Sequence, residues 1–344
     1  MKKIHHIGII GEGKMGSSIC QYLLDFPFTL TWLCNPNADI ATIKKQMIRR
    51  ANRSRRLGII DDPSYQRIIK TTVTVDPAAL ADCDLIIEAV PEDLALKQQL
   101  FKTLDRIVKP GSILTTNSSS FIPTALSPDP ERLKTMAGLH FFYPVSLKNI
   151  IEVTLADQAG EETQSVIEHF LDQIGRHYLL LGERTSFVLN RICLDVQVEA
   201  LRIVTDGHCT RLQMDKLVKT KLFTFGIFDF CDSVGLDTML ISVRNYVNCY
   251  SDKAYYQPFI SELSNLVNAG KKGRNSGEGF HVYPVDWDSV TLPETGEEII
   301  EYLRQIWLSS VKRFTVQSRL PIGDMNFAVR EYFGMEQGPF DLVK

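Results

Sequence analysis

Gly11-Glu12-Gly13-Lys14-Met15-Gly16 restricts the fold of this chain more than any other stretch of its sequence. The three glycines follow directly on His6-Ile7-Gly8-Ile9-Ile10, a short apolar run of strand character, and Met15, Ile19, Tyr22 and Leu23 come after them at helical spacing. Strand, tight turn and helix in that order form a unit that binds a dinucleotide. Gly11 permits the turn, Gly13 lets the backbone approach a pyrophosphate, and Gly16 lets the helix pack closely on the strand. Lys14 and Met15 open the helix, whose N-terminus supplies free N–H donors and the positive end of its dipole. The alternative, a glycine-rich turn without a ligand, fits the position between strand and helix less well.

Residues 29–34, 85–90 and 112–116 read as further strands, apolar enough for burial on both faces, with helical stretches between them. Strands alternating with helices predict an α/β domain built on a Rossmann-type doubly wound parallel sheet. At 344 residues a single core would be unusually large, so more than one domain is expected. Beyond Gly182 the pattern turns helical: Leu189, Ile192, Cys193, Val196, Ala200 and Ile203 mark one face of a helix that Gly207 can terminate. The expected division is a dinucleotide-binding domain over 1–184, an all-α domain over 185–284 and a helical extension over 285–344. Within the helical part, Asp215-Lys216-Leu217-Val218 leading to Phe225-Gly226-Ile227-Phe228-Asp229 parallels Asn326-Phe327-Ala328-Val329 leading to Gly338-Pro339-Phe340-Asp341. A partial second copy of one helical unit would produce this echo, as would coincidence between two short amphipathic segments.

The formal net charge of −3 offers no global attraction to nucleic acid or to anionic lipid. The seven cysteines, Cys20, Cys34, Cys83, Cys193, Cys209, Cys231 and Cys249, are odd in number, widely spaced and contain no Cys-x-x-Cys pair. Neither a disulfide framework nor a zinc cage is expected, and no other metal site is suggested. The N-terminal apolar stretch is too short for the core of a signal peptide, and no apolar run approaches the roughly 18 residues of a membrane span. The expectation is a soluble protein of the reducing cytoplasm without nucleic-acid or membrane partners.

Candidate chemistry falls at the carboxyl ends of the strands, where open α/β sheets bind ligands. NAD is the expected cofactor, although Asn35 stands where an acidic side chain usually holds the adenosine ribose and lacks the carboxylate that repels a 2′-phosphate. His140 and Glu152, on neighbouring segments, offer what a hydroxyl oxidation needs: an imidazole to take the proton and a carboxylate to orient its tautomer. A histidine in an apolar stretch is also commonly a satisfied core residue. Ser118, Ser119 and Ser120 follow a buried strand and can face a substrate or cap the next helix. Asn190, near the start of the helix after Gly182, can likewise be structural or a donor to a substrate oxygen.

Together these motifs resemble one family, the L-3-hydroxyacyl-CoA dehydrogenases, from about residue 5 to about residue 283. The segment Ala81-Asp82-Cys83-Asp84-Leu85-Ile86-Ile87-Glu88-Ala89-Val90 with Glu92 and Lys97 is similar to the family's A-D-L-V-I-E-A-V-x-E-x-x-x-x-K. Thr116 to Ser120 resembles S-N-T-S-S, His140-Phe141-Phe142 resembles H-F-F-N-P, and Phe187-Val188-Leu189-Asn190-Arg191 resembles F-I-V-N-R. Gly226 to Asp237 is similar to G-P-F-x-L-x-D-x-V-G-L-D, and Gly277-Glu278-Gly279-Phe280 to G-E-G-F. The resemblance implies reversible NAD-dependent oxidation of an (S)-3-hydroxyacyl-CoA to the 3-ketoacyl-CoA, with short chains such as 3-hydroxybutyryl expected. It implies His140 as general base, Glu152 as its orienting partner, and Ser119 and Asn190 as hydrogen-bond partners of the substrate's 3-oxygen or thioester region. Glu92, Lys97 and Asn117 would lie near the nicotinamide and its ribose, and the helical domain would form a homodimer.

Between Lys44 and Arg56 stand Lys44, Lys45, Arg49, Arg50, Arg53, Arg55 and Arg56 with no acidic residue. Lys44, Arg49 and Arg53 are candidate partners for the phosphates of an acyl-CoA, unless the run is a solvated helix face. Four places depart from the family pattern: Asn35, Tyr143 for the asparagine after H-F-F, Arg184-Thr185-Ser186 for T-P-G, and Ile227 for proline. Tyr143 is a candidate substrate contact whose phenol could shorten the acyl pocket. Two rival readings stay open, a dehydrogenase of a hydroxy acid or sugar acid without coenzyme A, and a non-catalytic protein that binds a dinucleotide or an acyl-CoA.

Overall fold

The computed structural model describes residues 2–248 and 250–342, so Cys249 lies outside the described residues. The chain forms two compact units, Met1–Ser186 and Phe187–Lys344.

The first unit begins β1 (His6–Ile10), α1 (Lys14–Leu23), β2 (Thr29–Leu33), α2 (Ile40–Arg56), α3 (Asp62–Lys70), β3 (Thr72–Thr74), β4 (Leu85–Glu88) and α4 (Leu94–Ile107). It continues with β5 (Ile113–Thr116), α5 (Pro123–Leu126), α6 (Pro130–Leu133), β6 (Met136–Phe141), β7 (Ile150–Leu155), α7 (Glu161–Gln173) and β8 (His177–Gly182). Among the described residues, eight strands make one sheet in the order β3-β2-β1-β4-β5-β6-β7-β8. From β3 to β6 every pairing is parallel, in the doubly wound order whose direction reverses between β1 and β4. The far edge differs from a wholly parallel sheet. There β7 runs antiparallel to β6, and β8 follows β7 in parallel. A short loop, residues 142–149, is enough to join antiparallel neighbours, whereas a parallel pair needs a crossover.

The two-residue period of the strands divides their side chains between two apolar layers. Ile7, Ile9, Leu30, Trp32, Leu85, Ile87 and Leu139 pack with Ile19 and Leu23 of α1 and Phe170 of α7. Ile10, Leu33, Ile86, Leu114 and Met136 pack with Phe101 and Leu104 of α4. Both faces are therefore covered, which is why each strand reads as a continuous apolar run rather than an alternating one.

The second unit holds α8 (Val188–Thr205), α9 (Arg211–Lys221), α10 (Ile227–Val234), α11 (Leu236–Asn248), α12 (Gln257–Asn268), α13 (Gly296–Ser318) and α14 (Ile322–Phe333). Gly207, at φ +83°, closes the turn after α8 in the left-handed region that a glycine adopts without strain. α8 is buried along nearly all of its length, acids included. Asp195 accepts hydrogen bonds from the hydroxyls of Tyr256 (2.8 Å) and Ser310 and from the guanidinium of Arg313, the last two on α13. Glu199 accepts from Tyr255 (2.6 Å) and from Tyr302 of α13 (2.7 Å). Buried carboxylates are tolerated because each oxygen has a donor.

The sequence echo corresponds to one local device used twice. Asp215 of α9 accepts the amide hydrogens of Phe228 (2.8 Å) and Asp229 (2.7 Å), and a Cβ on Gly226 would fall 2.6 Å from its own Cβ. Asn326 of α14 accepts the amide hydrogen of Phe340 at 2.9 Å, and a Cβ on Gly338 would fall 2.2 Å from its Oδ1. The second site uses an amide because Asn326 also donates to Asp341 at 2.9 Å, where a carboxylate would be repelled.

No helix among the described residues is long and apolar enough to cross a membrane. Among the described residues there is also no group of three or more His, Cys, Asp or Glu able to hold a metal ion.

Candidate active site

The glycine loop sits at the point where the strand order reverses, at the carboxyl ends of β1 and β4. Gly11 has φ +107°, and a Cβ there would lie 2.6 Å from the carbonyl oxygen of Ala89. A Cβ on Gly16 would come within 2.0 Å of the Gly11 carbonyl oxygen, so helix and loop touch at a distance only glycine allows. The same carbonyl accepts the indole N–H of Trp32 at 2.9 Å, which braces the loop against β2. Gly13 differs from the other two: a Cβ on it would meet nothing within 4 Å. It caps α1 without a side-chain acceptor, leaving the first amides of the helix, those of Lys14 and Met15 among them, beside open space. This cradle fits the pyrophosphate of a dinucleotide.

Beside the loop lies a buried charge cluster. Glu88, the last residue of β4, is completely buried, and its carboxylate takes hydrogen bonds from Thr116 directly opposite on β5 (2.6 Å), from the Val90 amide (2.7 Å) and from Lys97 of α4 (2.6 Å). Lys97 is itself only 1% exposed and reaches Glu92 at 3.4 Å. Ser118 donates to Glu92, and so does Ser120 at 2.8 Å. Two of the three serines thus hold an acid, Ser118 Oγ also accepts the amide hydrogens of Ser120 (3.1 Å) and Phe121 (2.8 Å), and the cap of α5 is Ile122 with no side-chain bond. Asn117 accepts the amide hydrogen of Phe141 at 2.9 Å, tying the loop after β5 to the end of β6, while Ser119 is half-buried.

His140 and Glu152 face each other across the antiparallel junction of β6 and β7. They are register partners on β6 and β7, and His140 Nδ1 lies 2.8 Å from Glu152 Oε2. Glu152 is fully buried and His140 is 6% exposed. With an ionised carboxylate on one side, Nδ1 carries the proton and donates it, which leaves Nε2 as a proton acceptor. The ring of Phe142 packs against the imidazole at 4.4 Å between centroids.

Family models point the same way as this geometry. The NAD-binding domain of 3-hydroxyacyl-CoA dehydrogenase matches residues 6–184, and the C-terminal domain of 3-hydroxyacyl-CoA dehydrogenase matches residues 187–283. The chain belongs to the 3-hydroxyacyl-CoA dehydrogenase family. It is an NAD-dependent dehydrogenase, and the family reaction interconverts 3-hydroxyacyl and 3-ketoacyl thioesters of coenzyme A. A probable 3-hydroxybutyryl-CoA dehydrogenase of Deinococcus radiodurans is 31% identical over 80% of this chain and 99% of its own. The solved (S)-3-hydroxybutyryl-CoA dehydrogenase PaaH1 of Ralstonia eutropha is 25% identical, with a TM-score of 0.73 over 82% of this chain and 100% of that one. The 3-hydroxybutyryl-CoA dehydrogenase of Escherichia coli, 18% identical, shares the fold at a TM-score of 0.83 over 99% of this chain and 91% of its own. That last match carries the shared fold through α13 and α14.

The remaining family positions fall in three places. Asn190, on the first turn of α8, donates to Tyr246 of α11 at 3.1 Å and accepts from Tyr332 of α14 at 2.9 Å. Tyr143 is 47% exposed, and its ring lies under the ammonium of Lys14, 4.2 Å from the centroid. Lys44, Arg49 and Arg53 are exposed on α2, where only Met47 and Ala51 are buried and where Arg53, Arg55 and Arg56 complement the negative end of the helix dipole. Arg55 alone of the run is in an ion pair among the described residues, with Asp62 of α3 at 2.7 Å. Two acids that the sequence reading left without a role stand in the site: Glu88, and Glu12 in the glycine loop. The signal for Glu88 was a carboxylate inside the buried run Ile86-Ile87-Glu88, which a fold accepts only with a partner such as Lys97.

Proposed function

We propose that this chain catalyses the reversible NAD-dependent oxidation of short-chain (S)-3-hydroxyacyl-CoA, 3-hydroxybutyryl-CoA among the substrates, with His140 as the general base. The observation that carries the reading is the buried pair of His140 and Glu152, 2.8 Å apart on adjacent strands. Bound NAD supplies the acceptor for the hydride that leaves carbon 3. The chain handles the other half of the reaction. His140 Nε2 takes the hydroxyl proton as the carbonyl forms, and Glu152 fixes the tautomer and stabilises the imidazolium. In the reverse direction the same imidazolium returns the proton to the 3-oxygen.

Ser119 and Asn190 are assigned to the substrate's 3-oxygen or thioester region, and the tyrosine bonds at both ends of the Asn190 amide support a fixed orientation for it. Gly11, Gly13, Lys14, Met15 and Gly16 are assigned to the cofactor's pyrophosphate, Asn35 to its adenosine ribose, and Glu92, Lys97 and Asn117 to the nicotinamide end. Lys44, Arg49 and Arg53 are assigned to the phosphates of coenzyme A, and Tyr143 to the substrate side of the site. Residues 285–344 are read as a partial second copy of the helical unit, on the strength of the paired Asp215 and Asn326 devices. A homodimer and a cytoplasmic location complete the proposal; the free, buried thiols of the described cysteines suit a reducing compartment.

The test is NADH consumption by purified protein with acetoacetyl-CoA, a longer 3-ketoacyl-CoA and free acetoacetate. Turnover is expected with acetoacetyl-CoA and not with the free acid. Turnover of the free acid alone would replace this reading with that of a dehydrogenase independent of coenzyme A, and NADH binding without any turnover would support the non-catalytic one.

A further inference from the structure

Sheets of this order usually place an acid at the end of the second strand, where it accepts hydrogen bonds from the adenosine ribose and repels the extra phosphate of NADP. Here that position is Asn35, whose Oδ1 is taken up by the Asn37 amide at 3.0 Å in a local turn. An acid is nevertheless present at the same spot, brought in from another segment. Glu12 Oε2 accepts the backbone N–H of Asn35 at 2.8 Å, so a carboxylate from the glycine loop lies on the carboxyl end of β2. The loop is held there independently: the Gly11 amide donates to Leu33 at 2.9 Å, and Ser17 donates to the Glu12 carbonyl at 2.8 Å. Cys34, next to Asn35, has its thiol pushed up to about 11, first by burial and then by the negative charge of Glu12.

We propose that Glu12 is the residue that selects NAD over NADP in this chain, replacing from the glycine loop the acid that Asn35 does not provide. The inference rests on the reading of the glycine loop as the dinucleotide site. A carboxylate at this place accepts from a ribose hydroxyl and stands against a 2′-phosphate. The chain directly after β2, residues 34–43, contains no lysine or arginine to neutralise such a phosphate, and Lys44 of α2 is the first cation beyond it. Asn35 supports the same preference, because the amide remains able to donate to a ribose oxygen while Glu12 supplies the charge.

Calorimetric titration of the full chain with NAD+ and with NADP+ tests this, using the wild type, Glu12→Gln, and Glu12→Gln combined with Asn35→Asp. Glutamine keeps an oxygen for the Asn35 amide and removes only the charge. The wild type is expected to bind NAD+ far more tightly than NADP+. Glu12→Gln is expected to shift the ratio of the two dissociation constants toward NADP+ by about tenfold or more, the effect of losing one close like-charge contact. Adding Asn35→Asp is expected to restore the preference for NAD+. An unchanged ratio in Glu12→Gln, or equal weakening of both nucleotides, would overturn the proposal and leave Glu12 as a brace of the loop. A wild type that binds NAD+ and NADP+ alike overturns it too, and one that binds neither overturns the reading of the loop itself.

Discussion

Tyr143 is the residue whose replacement in this chain looks most disruptive and whose placement is mildest. A phenol where the family pattern has an asparagine could fill the space beside His140. Instead the ring contacting the imidazole is Phe142, and Tyr143 stands half exposed with Lys14 above it. A cation over an aromatic ring at an exposed site contributes about 0.5–1 kcal/mol. Tyr143→Asn is therefore expected to lower the melting temperature by only a few degrees and to change kcat/KM for acetoacetyl-CoA by less than about tenfold. A loss of a hundredfold or more would mean that the phenol belongs to the catalytic machinery. The residues most legible in the sequence were those with a backbone reason for their identity. Gly11 and Gly16 announce themselves because any Cβ would strike Ala89 or Gly11. Glu12 was silent because its role depends on where a side chain from one loop lands on another strand, and no spacing along the chain encodes that.

At the scale of elements, the pairing of α8 with α13 carries a cost that pH can expose. Asp195 is buried on α8, and burial raises its pKa, while Arg313 and then the hydroxyls of Ser310 and Tyr256 pull it back down. A carboxyl whose pKa is raised on folding favours the protonated native state, so it weakens the fold as pH rises through the folded value and strengthens it as pH falls. Arg313→Ala removes the cation. Its guanidinium is half exposed, so the expected loss near pH 7 is modest, about 1–3 kcal/mol. The gap to wild type is expected to narrow as the pH is lowered from 7 and Asp195, whose pKa burial raises, takes up a proton. Thermal melts of both proteins across that range check this, and a gap that widens on acidification would contradict it. The elements themselves were largely readable, because their apolar periods are strong. The reversal at β7 was not, because neither β6 nor β7 is among the strands that the sequence singles out, and without both of them the short loop between them has no direction to fix. Yet that reversal is what sets His140 opposite Glu152.

At the scale of the whole molecule, two units divide the work. The first carries the dinucleotide cradle, the buried Glu88–Lys97 cluster and the histidine–carboxylate pair. The second carries Asn190, held by Tyr246 and by Tyr332 of α14. The change from alternating strands to helices after Gly182 made this division visible in the sequence. What the sequence did not give was the use of the extension: Tyr332 and Arg313 act on α8 across more than 100 residues of chain. The central claim is that His140 moves the proton while the rest of the first unit binds the cofactor. It is tested most directly by following NADH oxidation with acetoacetyl-CoA in the wild type and in His140→Ala, with NADH affinity measured on both by calorimetry. The account predicts loss of turnover by about a hundredfold or more with the NADH dissociation constant unchanged. Turnover preserved in His140→Ala, with NADH still bound, would contradict it.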